Sequence, residues 1–388
     1  MKTLIRTIWA RTIWSVLVIS TFAISIAAQN QNFTPVEGPN LKARIENAII
    51  AGRAKSKGGR FWVAYQFETR PGVSTDFEVV DGNGGVYFAW DSSAFSNDSG
   101  YETRELGFFL LFESERDRFT RAEVYNLKRQ HEYSGYPVFW AGRAANSESL
   151  DYLQSLIDTP ALETNRLADR ATFAIALHDD AQVESILTNL IRKPISEPMR
   201  SRAIYWLGFA PESQAKNNFL AGIVRDASEW SEPRQQAMSA LGMSRSLAAL
   251  PLLQSLFETM TSRDLKRRAL AGIARNDNRD GAATYLIRVA ENEKEQAIRK
   301  SAIAGLGRIA GEKSLGALTS TLDSDPDTEI QKQAVTAIGR RPRDEAIPIL
   351  IRTARSHPKI AVRKHAINIL GQTGDERAVA LFRELLSK

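Results

Sequence analysis

The sequence contains no cysteine and only four histidines, His131, His178, His357 and His365, in 388 residues. Without cysteine the chain forms no disulfide, no thiolate zinc site and no acylated lipobox anchor. No two histidines have the spacing of a zinc-binding helix, and the His131-Glu132 pair stands alone. A phosphate-binding loop, a dinucleotide fingerprint and a nucleophile elbow are also missing, and the glycine cluster at 82–85 lacks the strand-to-helix context that a phosphate loop needs. Asp323, Asp325 and Asp327 open like a calcium loop, but the glycine and distal glutamate of that loop are absent from their places. His178-Asp179-Asp180 reads as a solvated helix end rather than an acid–base cluster. These absences predict no catalytic residue, no metal site and no cofactor.

What the chain does have is repetition. Six segments, 200–208, 234–242, 266–274, 299–307, 331–339 and 363–371, follow one nine-slot pattern. Slot one is basic except at Gln331, slot four is always alanine (Ala203, Ala237, Ala269, Ala302, Ala334, Ala366), and slot nine is small. The closing residues lie 34, 32, 33, 32 and 32 positions apart. A period in the low thirties with helical apolar spacing predicts an array of two-helix units. The alanine lets a neighbouring helix approach closely, and the small closing residue is expected to end its helix. A second apolar stretch, such as Ala346, Ile347, Leu350 and Ile351, supplies the partner helix. A degenerate opening copy at 170–178, with Phe173 in the alanine slot, makes about seven units, and a lone helix at 376–386 closes the array. The predicted solenoid covers 147–388.

The N-terminal part has a different grammar. Residues 1–28 hold Lys2, Arg6 and Arg11, no acid, an apolar run at 13–26 and then Ala27-Ala28, which together read as a cleaved secretory signal. The alternative is an uncleaved anchor, since 12–28 is marginally long enough to cross a bilayer. A periplasmic or secreted protein is the expectation. A segment at 29–58 carries a short helix at 41–51, and alternation then takes over. Phe61, Val63, Tyr65 and Phe67 share one strand face, and Phe108, Leu110 and Phe112 repeat the pattern. Asp81-Gly82-Asn83-Gly84-Gly85 predicts a hairpin between 77–80 and 86–90. These strands, with others at 122–127 and 137–140, form a predicted antiparallel module over 59–143. The fold class is therefore mainly α, a solenoid preceded by a small antiparallel β-sheet domain.

The nine-slot pattern resembles HEAT repeats, in particular the bacterial HEAT-like repeats first named from phycobilin lyase subunits. The resemblance implies a scaffold or binding surface, and it implies that the slot-one cation serves the adjacent repeat. HEAT-like proteins that hold iron use repeated His-Glu pairs, which this chain lacks. An accessory lyase or chaperone-like subunit that binds a tetrapyrrole along the array is the alternative the resemblance offers, and export argues against it.

Charge is polarised along the chain. Residues 262–388 hold 24 Lys and Arg against 16 Asp and Glu, whereas 29–261 hold 24 against 29. Slot two reads Ser201, Gln235, Arg267, Lys300, Lys332, Lys364, so it turns basic in the last four copies. With helices stacked about 8–10 Å apart, these cations predict a ladder on one face, with Arg268 and His365 beside it. The predicted partner is an acidic protein or peptide, with a plain solvated face as the alternative reading. Nucleic acid is the least favoured partner, because export and a modest mature charge weigh against it.

Overall fold

The computed structural model describes residues 33–56, 59–71, 104–128, 131–158, 165–244 and 246–387. The leader at 1–28 and the hairpin predicted at 77–90 lie outside the described residues. The chain enters through a two-residue strand β1 (Thr34–Pro35) and helix α1 (Leu41–Lys55), whose first turn is capped by Asn40 accepting from the Ala43 amide at 2.9 Å. Four more strands follow: β2 (Arg60–Glu68), β3 (Glu105–Glu113), β4 (Arg118–Asn126) and β5 (Val138–Arg143).

The sheet order is β1-β5-β2-β3-β4. Strands β2, β3 and β4 pair antiparallel, but β5 runs parallel to β2 and β1 parallel to β5, so the sheet is mixed rather than antiparallel throughout. The cause is the connection from β4 to β5, which crosses the sheet to reach the far side of β2. A crossing connection returns the chain in parallel, which a hairpin cannot do. This crossover lies over one sheet face: Trp62 Nε1 donates to the Tyr133 carbonyl at 2.8 Å, and the Phe109 and Tyr133 rings stack with centroids 5.1 Å apart. The opposite face, with Phe61, Val63, Tyr65 and Phe67 from β2 and Phe108, Leu110 and Phe112 from β3, joins the core of the helices.

The remaining helices come in pairs. The first pair is α2 (Asn146–Ile157) and α3 (Asn165–Leu177), followed by α4 (Gln182–Arg192) and α5 (Glu197–Leu207), then α6 (Gln214–Arg225) and α7 (Ser231–Met243). Next come α8 (Ala249–Thr259) and α9 (Arg263–Ile273), then α10 (Arg279–Asn292) and α11 (Gln296–Leu306). The last pairs are α12 (Glu312–Ser324) with α13 (Thr328–Ile338) and α14 (Arg343–Ser356) with α15 (Ile360–Gly371), and α16 (Glu376–Leu386) lies over α14. The nine-slot pattern sits on the second helix of each pair, termed here the B helix, and its partner is the A helix.

Successive B helices touch at one recurring point. The slot-nine residue of each copy faces slot seven of the next: Gly208 with Ala240, Gly242 with Gly272, Ala274 with Gly305, Gly307 with Ala337, and Gly339 with Ile369. A Cβ on Gly242 would lie 2.8 Å from the Gly272 Cα, so backbone meets backbone there. Gly208, Ala274, Gly307 and Gly339 do end their helices as C-caps, but no left-handed turn requires glycine there. Gly208, Gly307 and Gly339 keep right-handed φ values of −58°, −63° and −61°, so their requirement is space. The slot-four alanines are all completely buried for the same reason.

The opening copy is registered two residues earlier than its sequence suggests. Arg202 in slot three pairs with Asp169 at 3.6 Å, as Arg268 in slot three reaches Gln235 in slot two of the copy before it at 2.9 Å. Asp169 therefore holds slot two, Ala171 rather than Phe173 holds the alanine slot, and Phe173 packs beside Trp206 with ring centroids 4.6 Å apart.

Gly371 occupies slot nine of the last copy, and an added Cβ there would meet nothing within 4 Å. The same substitution should thus have opposite consequences in two copies. Gly242→Ala is expected to cost about 1–3 kcal/mol by overpacking, and Gly371→Ala to be neutral or stabilising by up to about 1 kcal/mol, as read from urea midpoints. Equal effects at the two positions would contradict the packing role.

Candidate functional site

The B helices place slots two, three, six and ten on one side of the array, and each slot has a distinct duty. Slot one does not belong to this face, because its cation turns into the stack. Arg234 and Arg299 donate through Nε to the carbonyls of Val224 and Ala290 at the ends of their A helices, at 3.0 and 2.8 Å. Arg200 reaches Glu229 at 2.7 Å, Lys266 reaches Glu293 at 3.6 Å, and Arg299 also pairs with Asp325. Gln331 cannot make the equivalent ion pair. There His357, at the position equivalent to Glu293 and Asp325, puts its Nε2 3.2 Å from the Leu322 carbonyl, the group an arginine would otherwise bind.

The six residues predicted from sequence lie at slots two and three. Arg267 is exposed and 3.9 Å from its own helix's Asp264, and Lys300 and Lys332 share Glu329 at 3.6 and 2.9 Å. That sharing holds the Glu329 carboxyl below its ordinary value, chiefly through the Lys332 hydrogen bond. Lys364 is exposed and forms no ion pair among the described residues. Arg268 bridges back to Ser239 and Gln235 at 2.8 and 2.9 Å, and His365 lies 2.8 Å from Thr336 Oγ1, so these two tie neighbouring copies together. Much of the charge along the predicted ladder is answered within the array, by Asp264 and Glu329.

A second row begins one residue after the nine-slot pattern stops. Slot ten reads Phe209, Met243, Arg275, Arg308, Arg340, Gln372. The three arginines are exposed and form no ion pair or side-chain hydrogen bond among the described residues. Desolvation, followed by the like charges of Arg275 and Arg340, lowers the pKa of Arg308 from its ordinary value. Between the slot-two and slot-ten rows lie the short side chains of Ala271, Ala304 and Thr336 in slot six. Slot ten follows slot two by eight residues and lies in the turn just past each B helix. The A side differs: Arg288 pairs with Glu258, Arg352 with Asp323 at 3.2 Å, and Arg355 with Glu384 at 2.6 Å, each across successive copies.

The joint between sheet and solenoid holds the other polar cluster. His178, predicted to sit in a solvated turn, is completely buried, with its ring stacked on Phe67 at 4.3 Å. Its Nδ1 lies 2.7 Å from the Ala174 carbonyl and so carries the proton, which leaves Nε2 to accept from Ser149 Oγ at 2.8 Å. The Tyr65 hydroxyl closes the chain 3.0 Å from Ser149 Oγ. Ser149 and His178 have the spacing of a nucleophile and its base, but all three side chains are sealed from solvent, so their role is to join β2, α2 and α3. Around them Glu68 pairs with Arg104 and Arg143 at 2.9 and 2.6 Å, and Arg104 also pairs with Asp179. Among the described residues no group of three metal-binding side chains converges, and no helix is long and apolar enough to cross a membrane.

Stacked helical hairpins with a close B layer define an α-solenoid of the scaffold type. The C-terminal part of the array matches the family model "HEAT repeats", over residues 250–331 and 315–388. No curated protein matches the sequence. Solved structures with similar arrays include human deoxyhypusine hydroxylase in complex with glycerol, at 16% identity over 62% of this chain and 90% of that one, with a TM-score of 0.30. The complex of CpcE and CpcF of phycocyanin lyase from Nostoc sp. PCC7120 is similar at 14% identity over 63% and 94%, with a TM-score of 0.32. The Escherichia coli protein YibA is similar at 13% identity over 68% and 93%, with a TM-score of 0.36. Identities this low say nothing of activity.

The buried histidine makes the joint sensitive to acid. Burial lowers the His178 pKa to about 4, against about 6.5 in an unfolded chain, so between these values the unfolded chain holds more protons and stability falls as the pH falls. Above about 6.5 this group adds no pH dependence, and full protonation would cost about 3 kcal/mol. Melting of the wild type should therefore drop from pH 7.5 to pH 5 by more than that of His178→Gln, and identical drops would contradict the buried neutral assignment.

Proposed function

We propose that the chain is a non-catalytic scaffold that binds a protein or peptide along the exposed side of its B helices. The observation that carries this reading is the slot-ten row, three arginines in successive copies with no carboxylate of their own, whereas Arg288, Arg352 and Arg355 on the A side are paired across copies. Stacked repeats offer extended surfaces of this kind. The slot-two cations Arg267, Lys300, Lys332 and Lys364 border the same surface, and Arg268 and His365 stiffen it. The composition of residues 1–28 supports a periplasmic or secreted location.

A photo-crosslinking amino acid tests the face in cells. Placed at Ala304, in slot six, it should yield adducts with a partner. Placed at the exposed Ser320 on α12, it should yield none. Adducts from Ser320 alone, or from both positions equally, would overturn the assignment.

A further inference from the structure

We propose that Arg275, Arg308 and Arg340 form the recognition row for a short acidic polypeptide segment, one carboxylate meeting one arginine per repeat. The proposal rests on the scaffold reading and names the partner's chemistry and register.

Charge complementarity carries it. Of the carboxylates near the row in sequence, Asp277 lies 4.0 Å from Arg279, Glu345 2.7 Å from Arg341 and Asp344 3.3 Å from Arg377, and neither these nor Asp280 or Glu312 pairs with Arg275, Arg308 or Arg340 among the described residues. The row is left with three like charges on adjacent copies, and bound carboxylates would relieve their repulsion. All three positions hold arginine rather than lysine, and its planar fork binds a carboxylate through two parallel hydrogen bonds.

The floor and the spacing favour an extended chain. The slot-six residues Ala271, Ala304 and Thr336 are small, so a main chain can run close to the helices. Copies repeat about every 8–10 Å, and one three-residue turn of polyproline II chain advances about 9 Å and returns every third side chain to the same face. A carboxylate at every third residue therefore keeps step with the row.

The row also ends. Slot ten is Met243 on one side and Gln372 on the other, so the cations span only about 20 Å. A nucleic-acid backbone carries a phosphate at every nucleotide and would run past both ends without counter-charge. Three well-spaced carboxylates on a polypeptide match the row.

The test is fluorescence anisotropy with the mature chain and labelled peptides in which Asp recurs every third or every second residue, an Asn analogue, and a single-stranded oligonucleotide of equal charge. The every-third peptide should bind most tightly, weaken with salt, and lose about tenfold or more in affinity with Arg308→Glu. Arg308→Gln should fall between wild type and Arg308→Glu, and Arg352→Gln, on the A side, should change binding by less than about threefold. Arg308 is exposed, so both of its variants should melt like the wild type. Peptide binding indifferent to Arg308→Glu, no preference for the third-residue spacing, or tighter binding of the oligonucleotide would each overturn the proposal. Crosslinks from Ala304 that persist alongside such a failure would leave the scaffold reading standing and remove only the acidic row.

Discussion

The contact between slot nine of one B helix and slot seven of the next is the constraint on which the solenoid depends. Where Gly242 meets Gly272, the two backbones touch with no side chain between them. That contact fixes how closely the B layer packs, while the A helices keep full side chains between them, as in the Arg352 to Asp323 pair. A layer that packs more tightly than its partner becomes the inner side of a curved array. Every other slot then has its duty assigned: four and nine supply space, one clamps the A helix and the following copy, three ties B helix to B helix, and two, six and ten are left facing outward.

The β module serves the same constraint at the other end. Packing α2 against β2 and α3 against β4 gives the first pair a neighbour it would otherwise lack, and the joint is made of hydrogen bonds as well as aromatic area. Phe67 on His178, Ser149 between His178 and Tyr65, and the Glu68 pairs together leave little freedom between sheet and solenoid. The exposed Glu68 pairs add little individually, so the buried packing supplies most of the rigidity.

The period, the helix pairs and the alanine slots were legible in the sequence because each is a local pattern repeated six times. The role of the glycines was not, since a glycine ending a helical pattern looks alike whether it turns the chain or admits a neighbour, and only the right-handed φ at Gly307 and Gly339 separates the two. The parallel pairing of β5 was hidden because alternation reports which face a residue occupies and not which way its neighbour runs. His178 reads as a turn residue from its polar neighbours: Asp179 and Asp180 do face solvent, yet the ring between Phe67 and Ser149 does not. Arg275, Arg308 and Arg340 stand directly after Ala274, Gly307 and Gly339, one position beyond the small residue that closes the repeated pattern.

The central claim is that tight B-layer packing sets aside an outward face whose unpaired arginines do the binding. Amide hydrogen exchange on the mature chain, with and without the every-third Asp peptide, tests it most directly. Added protection is predicted at the turns that follow α9, α11 and α13, with the A helices α10, α12 and α14 unchanged along their exposed sides. Protection centred on those A helices, or spread evenly over the whole solenoid, would contradict the account.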